Sequence, residues 1–142
     1  MAVASSPIVA RLSRAADTGF DISNKFYRVI QVLPSAVAEY TTFAEQTLYL
    51  AANFEQIAQV LPSLSLSDDA RVFEDIAKLL DFADEAFVDC KEALPQRPLD
   101  DVDLLLPYEA EALVDQIEAL QAAATIIATL LLLGAPQSPI TW

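Results

Sequence analysis

Apolar and small side chains recur along this chain at alternating intervals of three and four, in four stretches separated by prolines and polar turns. The first stretch reads Ile8, Leu12, Ala15, Gly19, Ile22, Phe26, Val29, Leu33, and the second Val37, Tyr40, Ala44, Thr47, Ala51, Phe54, Ala58, Leu61. The third reads Phe73, Ile76, Leu80, Ala83, Phe87, Cys90, Leu94, and the fourth Ala110, Leu113, Ile117, Leu120, Ala124, Ile127, Leu131. That spacing returns to one face of an α-helix, so each stretch predicts one helix with a single buried seam. No segment alternates at period two for long enough to predict a strand.

The punctuation agrees. Pro7, Pro34, Pro62, Pro95, Pro98 and Pro107 stand outside the periodic stretches or in their first turns, where a missing N–H is tolerated. Ser35 after Pro34, Ser67 ahead of Asp68 and Asp69, and Pro107 ahead of Glu109 and Glu111 supply start signals. Gly134 followed by Pro136 stops the fourth helix. Four helices of about 25 residues, each about 38 Å long at 1.5 Å per residue, predict an all-α fold, an antiparallel four-helix bundle. The link from Pro95 to Leu106 ends in three leucines, Leu104, Leu105 and Leu106, which need a cover. A short helical cap in this third connection is therefore expected. Residues 1–134 form the bundle domain and 135–142, with Pro136, Ser138 and Pro139, a tail or the start of a linker.

Composition then narrows the chemistry. The chain has 142 residues, 21 acidic and 8 basic side chains, a net charge of −13, one cysteine, two glycines and no histidine. Without histidine there is no Cys/His zinc site, no Ser-His-Asp or Cys-His relay and no Glu-x-x-His di-iron centre. Gly19 and Gly134 are too far apart for a phosphate-binding glycine loop. A strongly acidic surface repels phosphate backbones, so no nucleic-acid partner is expected. Residues 1–8 carry no charged leader segment, and the apolar run Ala122 to Leu133 falls short of the ~20 residues a spanning helix needs. A cytoplasmic, reducing location without a transmembrane helix is expected.

Six features remain. Asp81, Asp84, Glu85, Asp89 and Glu92 form an acidic stripe on the third helix, read as a solvated face because helical spacing points such groups outward in parallel. Asp100, Asp101 and Asp103 lack the glycine and closing glutamate of a calcium loop. No cofactor or metal is expected. Cys90 sits in the third seam as a buried thiol. Gly19 lies mid-seam, where glycine costs about 1 kcal/mol relative to alanine; a close helix crossing accounts for it, and a hinge is the alternative. Arg11, Arg14, Lys25 and Arg28 line one edge of the first helix, either docked on the acidic third or fourth helix or free to detach onto a membrane or partner. The second half of the fourth helix is apolar nearly all round, leaving some of Ile126, Leu130, Leu132 and Leu133 for a partner unless Val3 and Ile8 cover them.

Phe26, Tyr27 and Ile30, followed by a proline-bounded helix, then Phe82, Phe87, Cys90 and Leu94, then Leu105, Leu106 and a long helix ending in Leu130 to Leu133, form a pattern that resembles the N-terminal helical domain of fungal STAND (NLR-like) proteins, related to HeLo-like domains. The resemblance covers Ile8 to Leu133 and departs where the family carries a tryptophan and several lysines before the fourth helix. It implies a non-enzymatic signalling module that acts by homotypic or heterotypic assembly, with no catalytic residue. In HeLo members an apolar N-terminal helix inserts into membranes. Here the first helix carries six charges, so protein partnership or self-association is expected ahead of membrane insertion. The alternative is a bundle that holds an apolar ligand or lipid between Ala44, Ala51, Ala58, Ala83, Ala110 and Ala124.

Overall fold

The computed structural model describes residues 5–32, 38–63, 71–93 and 107–133. They form α1 (Ser5–Val32), α2 (Ala38–Val60) ending in a 3-10 turn (Leu61–Ser63), α3 (Arg71–Ala93) and α4 (Pro107–Leu132). The chain is an all-α four-helix bundle, with helices of 28, 23, 23 and 26 residues. Pro107 is the first residue of α4, the position where its missing N–H is harmless. α4 closes with the Leu133 amide donating to the Thr129 carbonyl at 3.0 Å. The expected cap at 94–106 and the tail at 135–142 lie outside the described residues.

The three-four seams are the core. Every seam position whose side chain is described is buried, except Ile8, Val29 and Leu113 at the helix ends, which are half-buried. Each seam is widened on one flank: Ala16 and Ser23 on α1, Phe43, Leu50 and Ile57 on α2, Val72, Leu79 and Ala86 on α3, Val114 and Ala128 on α4. A helix in a ring of four touches two neighbours, so its apolar stripe must be broader than a single line.

Around the ring the order is α1, α2, α4, α3, and the consecutive helices α2 and α3 face each other across the diagonal. Along α1, Gly19 meets Ala51, Ser23 meets Ala44 and Phe26 meets Tyr40 and Phe43, so α1 and α2 are antiparallel. Arg11 reaches Asp81 and Asp84 while Gly19 lies beside Phe87, so α1 and α3 run in the same sense. α2 and α3 are therefore antiparallel to each other.

The α1/α2 seam is the tightest. A Cβ placed on Gly19 would stand 2.9 Å from the Ala51 Cβ and 3.3 Å from the Phe87 ring. Gly19 is thus a close-crossing residue: its helix-propensity cost is offset by the approach of two backbones over Ala15, Ala16, Ala44 and Ala51. The small residues are filled by helix proximity at this point. They do not enclose space for a ligand there. At one end of the seam Phe26 stacks on Phe43 with centroids 5.0 Å apart, and Tyr40 tilts against both at 5.5 and 6.0 Å. Between aromatic cluster and crossing, the buried Ser23 hydroxyl donates to the Ala44 carbonyl at 2.7 Å. The Thr47 hydroxyl oxygen is also buried and has no hydrogen-bond partner among the described residues.

Candidate functional site

The outer line of α4 changes character halfway along. Glu111, Asp115 and Glu118 are exposed on its first turns; continuing at steps of three and four come Ala122, Ile126, Leu130 and Leu133. Ile126, Leu132 and Leu133 are 44%, 55% and 74% exposed, and Leu130 is half-buried. The seam of the same helix, Ile117, Leu120, Ala124, Ile127 and Leu131, is spent on the core. No described residue covers the remaining apolar side. Ile8 packs against the main core cluster instead, and Val3 lies outside the described residues.

Sequence reading missed the other half of this surface. Phe82 of α3 falls between the seam positions Leu80 and Ala83, and its ring is 46% exposed. With Gln116, Ala119, Leu120 and Ala123 of α4 it lines an open, almost wholly apolar hollow of about 250 Å³. Sites for whole small molecules run roughly 300–1,000 Å³ and are more enclosed. A hollow of this size matches one inserted side chain. An aromatic residue out of phase with its own seam was the available signal.

The four basic candidates part company. Arg11 donates to Asp81 Oδ1 at 3.1 Å and to Asp84 Oδ2 at 3.3 Å, joining α1 to the acidic stripe of α3. Its side chain is 30% exposed and the two carboxylates 71% and 64%, so solvent screening holds the pair to about 1 kcal/mol or less. Lys25 pairs with Asp21 one turn back on its own helix at 2.9 Å. Arg14 and Arg28 are exposed and make no ion pair with a described residue. The edge is therefore partly docked, through Arg11.

Two further expectations concern chemistry. Cys90 is fully buried and free, and burial, reinforced by the neighbouring Asp89 charge, pushes its thiol from 9.0 up to about 12. Such a thiol stays protonated and is a poor nucleophile. Among the described residues no three acidic or cysteine side chains converge as a metal site would require. On the far flank of α4, Asn53 Nδ2 of α2 donates to the Thr125 hydroxyl at 2.9 Å, and that hydroxyl in turn donates to the Gln121 carbonyl at 2.9 Å. This polar clamp fixes α4 against α2, leaving its α3 side as the open one.

Taken as a whole helix, α4 differs from the expectation drawn from its apolar run alone. Over Glu111–Leu132 it is long and apolar enough, by length and composition, to cross a membrane, although a third of that window is buried in the bundle. The chain matches no family model, no curated protein and no solved structure.

Proposed function

We propose that this chain is a non-enzymatic helical interaction module that binds a protein partner through the outer face of α4 and Phe82 of α3. The observations that carry the reading are the exposure of Ile126, Leu132 and Leu133 on the second half of α4 and of Phe82 on α3, the latter beside a side-chain-sized hollow lined by Gln116, Ala119, Leu120 and Ala123. Large apolar groups gathered in this way on an otherwise acidic surface mark an association site. The resemblance to fungal STAND N-terminal domains, with assembly as their mode of action, supports the same class, and a cytoplasmic setting belongs to that proposal.

The test is substitution at exposed positions, which the core does not feel. Ile126→Glu and Leu132→Glu should leave far-UV circular dichroism and Tm unchanged while removing whatever association the intact protein shows by sedimentation velocity or with a co-purified partner. Association that persists unchanged in both variants would refute the assignment. A membrane reading is favoured by one observation, the hydropathy of α4, and cosedimentation of the intact protein with vesicles, lost in Ile126→Glu, would replace the protein partner by a lipid surface.

A further inference from the structure

Neither α2 nor α4 contains a lysine or an arginine. The Asn53–Thr125 bond crosses the groove between these two helices, and two lines run along the groove through it. On α2, steps of three and four through Asn53 give Thr42, Gln46, Tyr49 and Gln56; on α4, the same steps through Thr125 give Gln121, Ala122, Thr129 and Leu132. All of them are exposed or half-buried, Tyr49 at 49% and Leu132 at 55%. Ile126 and Leu133 continue the surface on the outer side of α4. Not one of these positions carries a charge.

Carboxylates stand only at the border. Glu118 lies a turn before Gln121, with Asp115 and Glu111 beyond it; Glu45 lies a turn before Tyr49, and Glu39 precedes Thr42 by three residues in the sequence. Glu55, two residues past Asn53, falls on the opposite flank of α2 by helical rotation. Elsewhere the outer lines are charged: Asp17 and Asp21 on α1, Glu85 and Asp89 on α3, Glu111 and Asp115 on the first half of α4 are all exposed.

Building on the interaction-module reading, we infer that the partner is a second copy of this chain, docked face to face through α2 and the second half of α4 about a twofold axis. Charge and hydrogen-bonding chemistry select this occupant. A twofold contact sets the same patch of each copy against the other. Carboxylates apposed in that way repel, whereas hydroxyls and amides both donate and accept and so pair with their own copies. The polar side chains of this face are hydroxyls and amides throughout. A basic partner would be matched by carboxylates inside the face, and an anionic membrane by basic groups on the two helices; the face has neither. Each copy brings a net charge of −13, so the long-range repulsion between them is relieved by salt. This dimer therefore tightens as salt rises, where a complex with a basic partner would loosen.

The experiment is sedimentation velocity on the full chain over a concentration series, at low salt and at about 300 mM NaCl. A dimer is expected, with the smaller dissociation constant at the higher salt. Tyr49→Glu with Thr129→Glu should raise that constant about tenfold or more and leave far-UV circular dichroism unchanged. Asn24→Glu with Val88→Glu, the same added charge on exposed positions of α1 and α3, should leave it within about twofold. Mixing the Tyr49/Thr129 glutamate variant with a labelled Tyr49→Lys, Thr129→Lys variant should restore a mixed dimer; its absence would overturn the face-to-face contact. Equal weakening in the Asn24/Val88 control, or a dimer loosened by salt, would also overturn it. A monomer at every concentration and salt would overturn the second copy, and a co-purified partner then lost in Ile126→Glu would leave the interaction-module reading standing with another occupant. Vesicle binding of the intact chain that the Tyr49/Thr129 glutamate variant loses would give the face to a lipid surface. A dimer intact in that variant and in Ile126→Glu would overturn both this contact and the α4 face as an association site.

Discussion

The α1/α2 seam and the α3/α4 seam are built from comparable numbers of apolar residues and finish in opposite states. Between α1 and α2, small residues at Ala15, Ala16, Gly19, Ala44 and Ala51 let the backbones approach, and bulky side chains are confined to the aromatic end. The buried positions of α3 and α4 include the larger Leu79, Leu80, Leu120 and Ile127. Larger side chains hold helix axes further apart, and on the outer side of this wider seam Phe82 and the α4 alanines leave a hollow. Small residues consume surface by closing distance. Large residues placed outside the seam leave surface to be consumed by something else.

That contrast can be broken most sharply with two phenylalanines. Phe26→Ala empties a fully buried, stacked position and should cost about 3–5 kcal/mol. Phe82→Ala removes a half-exposed ring and should cost about 1 kcal/mol or less. Urea melts of both variants measure the difference; similar losses would mean that the two seams are equally packed.

The next largest effect belongs to Gly19→Ala. Alanine gains helix propensity of about 1 kcal/mol, but its methyl group would meet a Cβ that cannot move without its helix. Overpacking costs about 1–3 kcal/mol, so net destabilisation of about 1–2 kcal/mol is expected by thermal or urea unfolding, and a stabilised variant would remove the close crossing from the account. Thr47→Val has the opposite sign. It keeps the shape and removes a buried, unpartnered hydroxyl, and should stabilise by about 1 kcal/mol.

The smallest effect is a slope in pH. The folded Cys90 thiol keeps its proton to about 12, while in the unfolded chain it loses it near 9.0. Between those values the folded state binds more protons, so stability contributed by this site is present below pH 9 and falls as pH rises toward 12. Stability should therefore decline more steeply across pH 8 to 10.5 in the intact protein than in Cys90→Ala, and parallel curves would show that the thiol is not desolvated.

Much of this architecture was legible before any coordinates. Helix number, helix length and the identity of the buried face follow from the three-four spacing, because that periodicity is a property of each helix alone. Cys90 fell in the third seam and is buried, and Gly19 demanded a neighbour and has one. Of the candidate site, the apolar end of α4 could be read because it exceeded what one seam can bury. Phe82 was marked only by standing out of phase with its seam, and how much of its ring stays exposed depends on how α3 is rotated against α4.

What the sequence by itself determined is thus each helix and its inward face, set by local backbone geometry and by the water-avoidance of residues a fixed rotation apart. Only the tertiary structure decided the ring order α1, α2, α4, α3, the choice of Ala51 to face Gly19, and the docking of Arg11 while Arg14 and Arg28 stay exposed. The four seams are alike in period and differ mainly in side-chain volume, so the pattern of any one of them does not say which helix will lie beside it. That choice is made by the summed packing of all four helices, and with it the choice of which apolar residues remain open on the α3/α4 face.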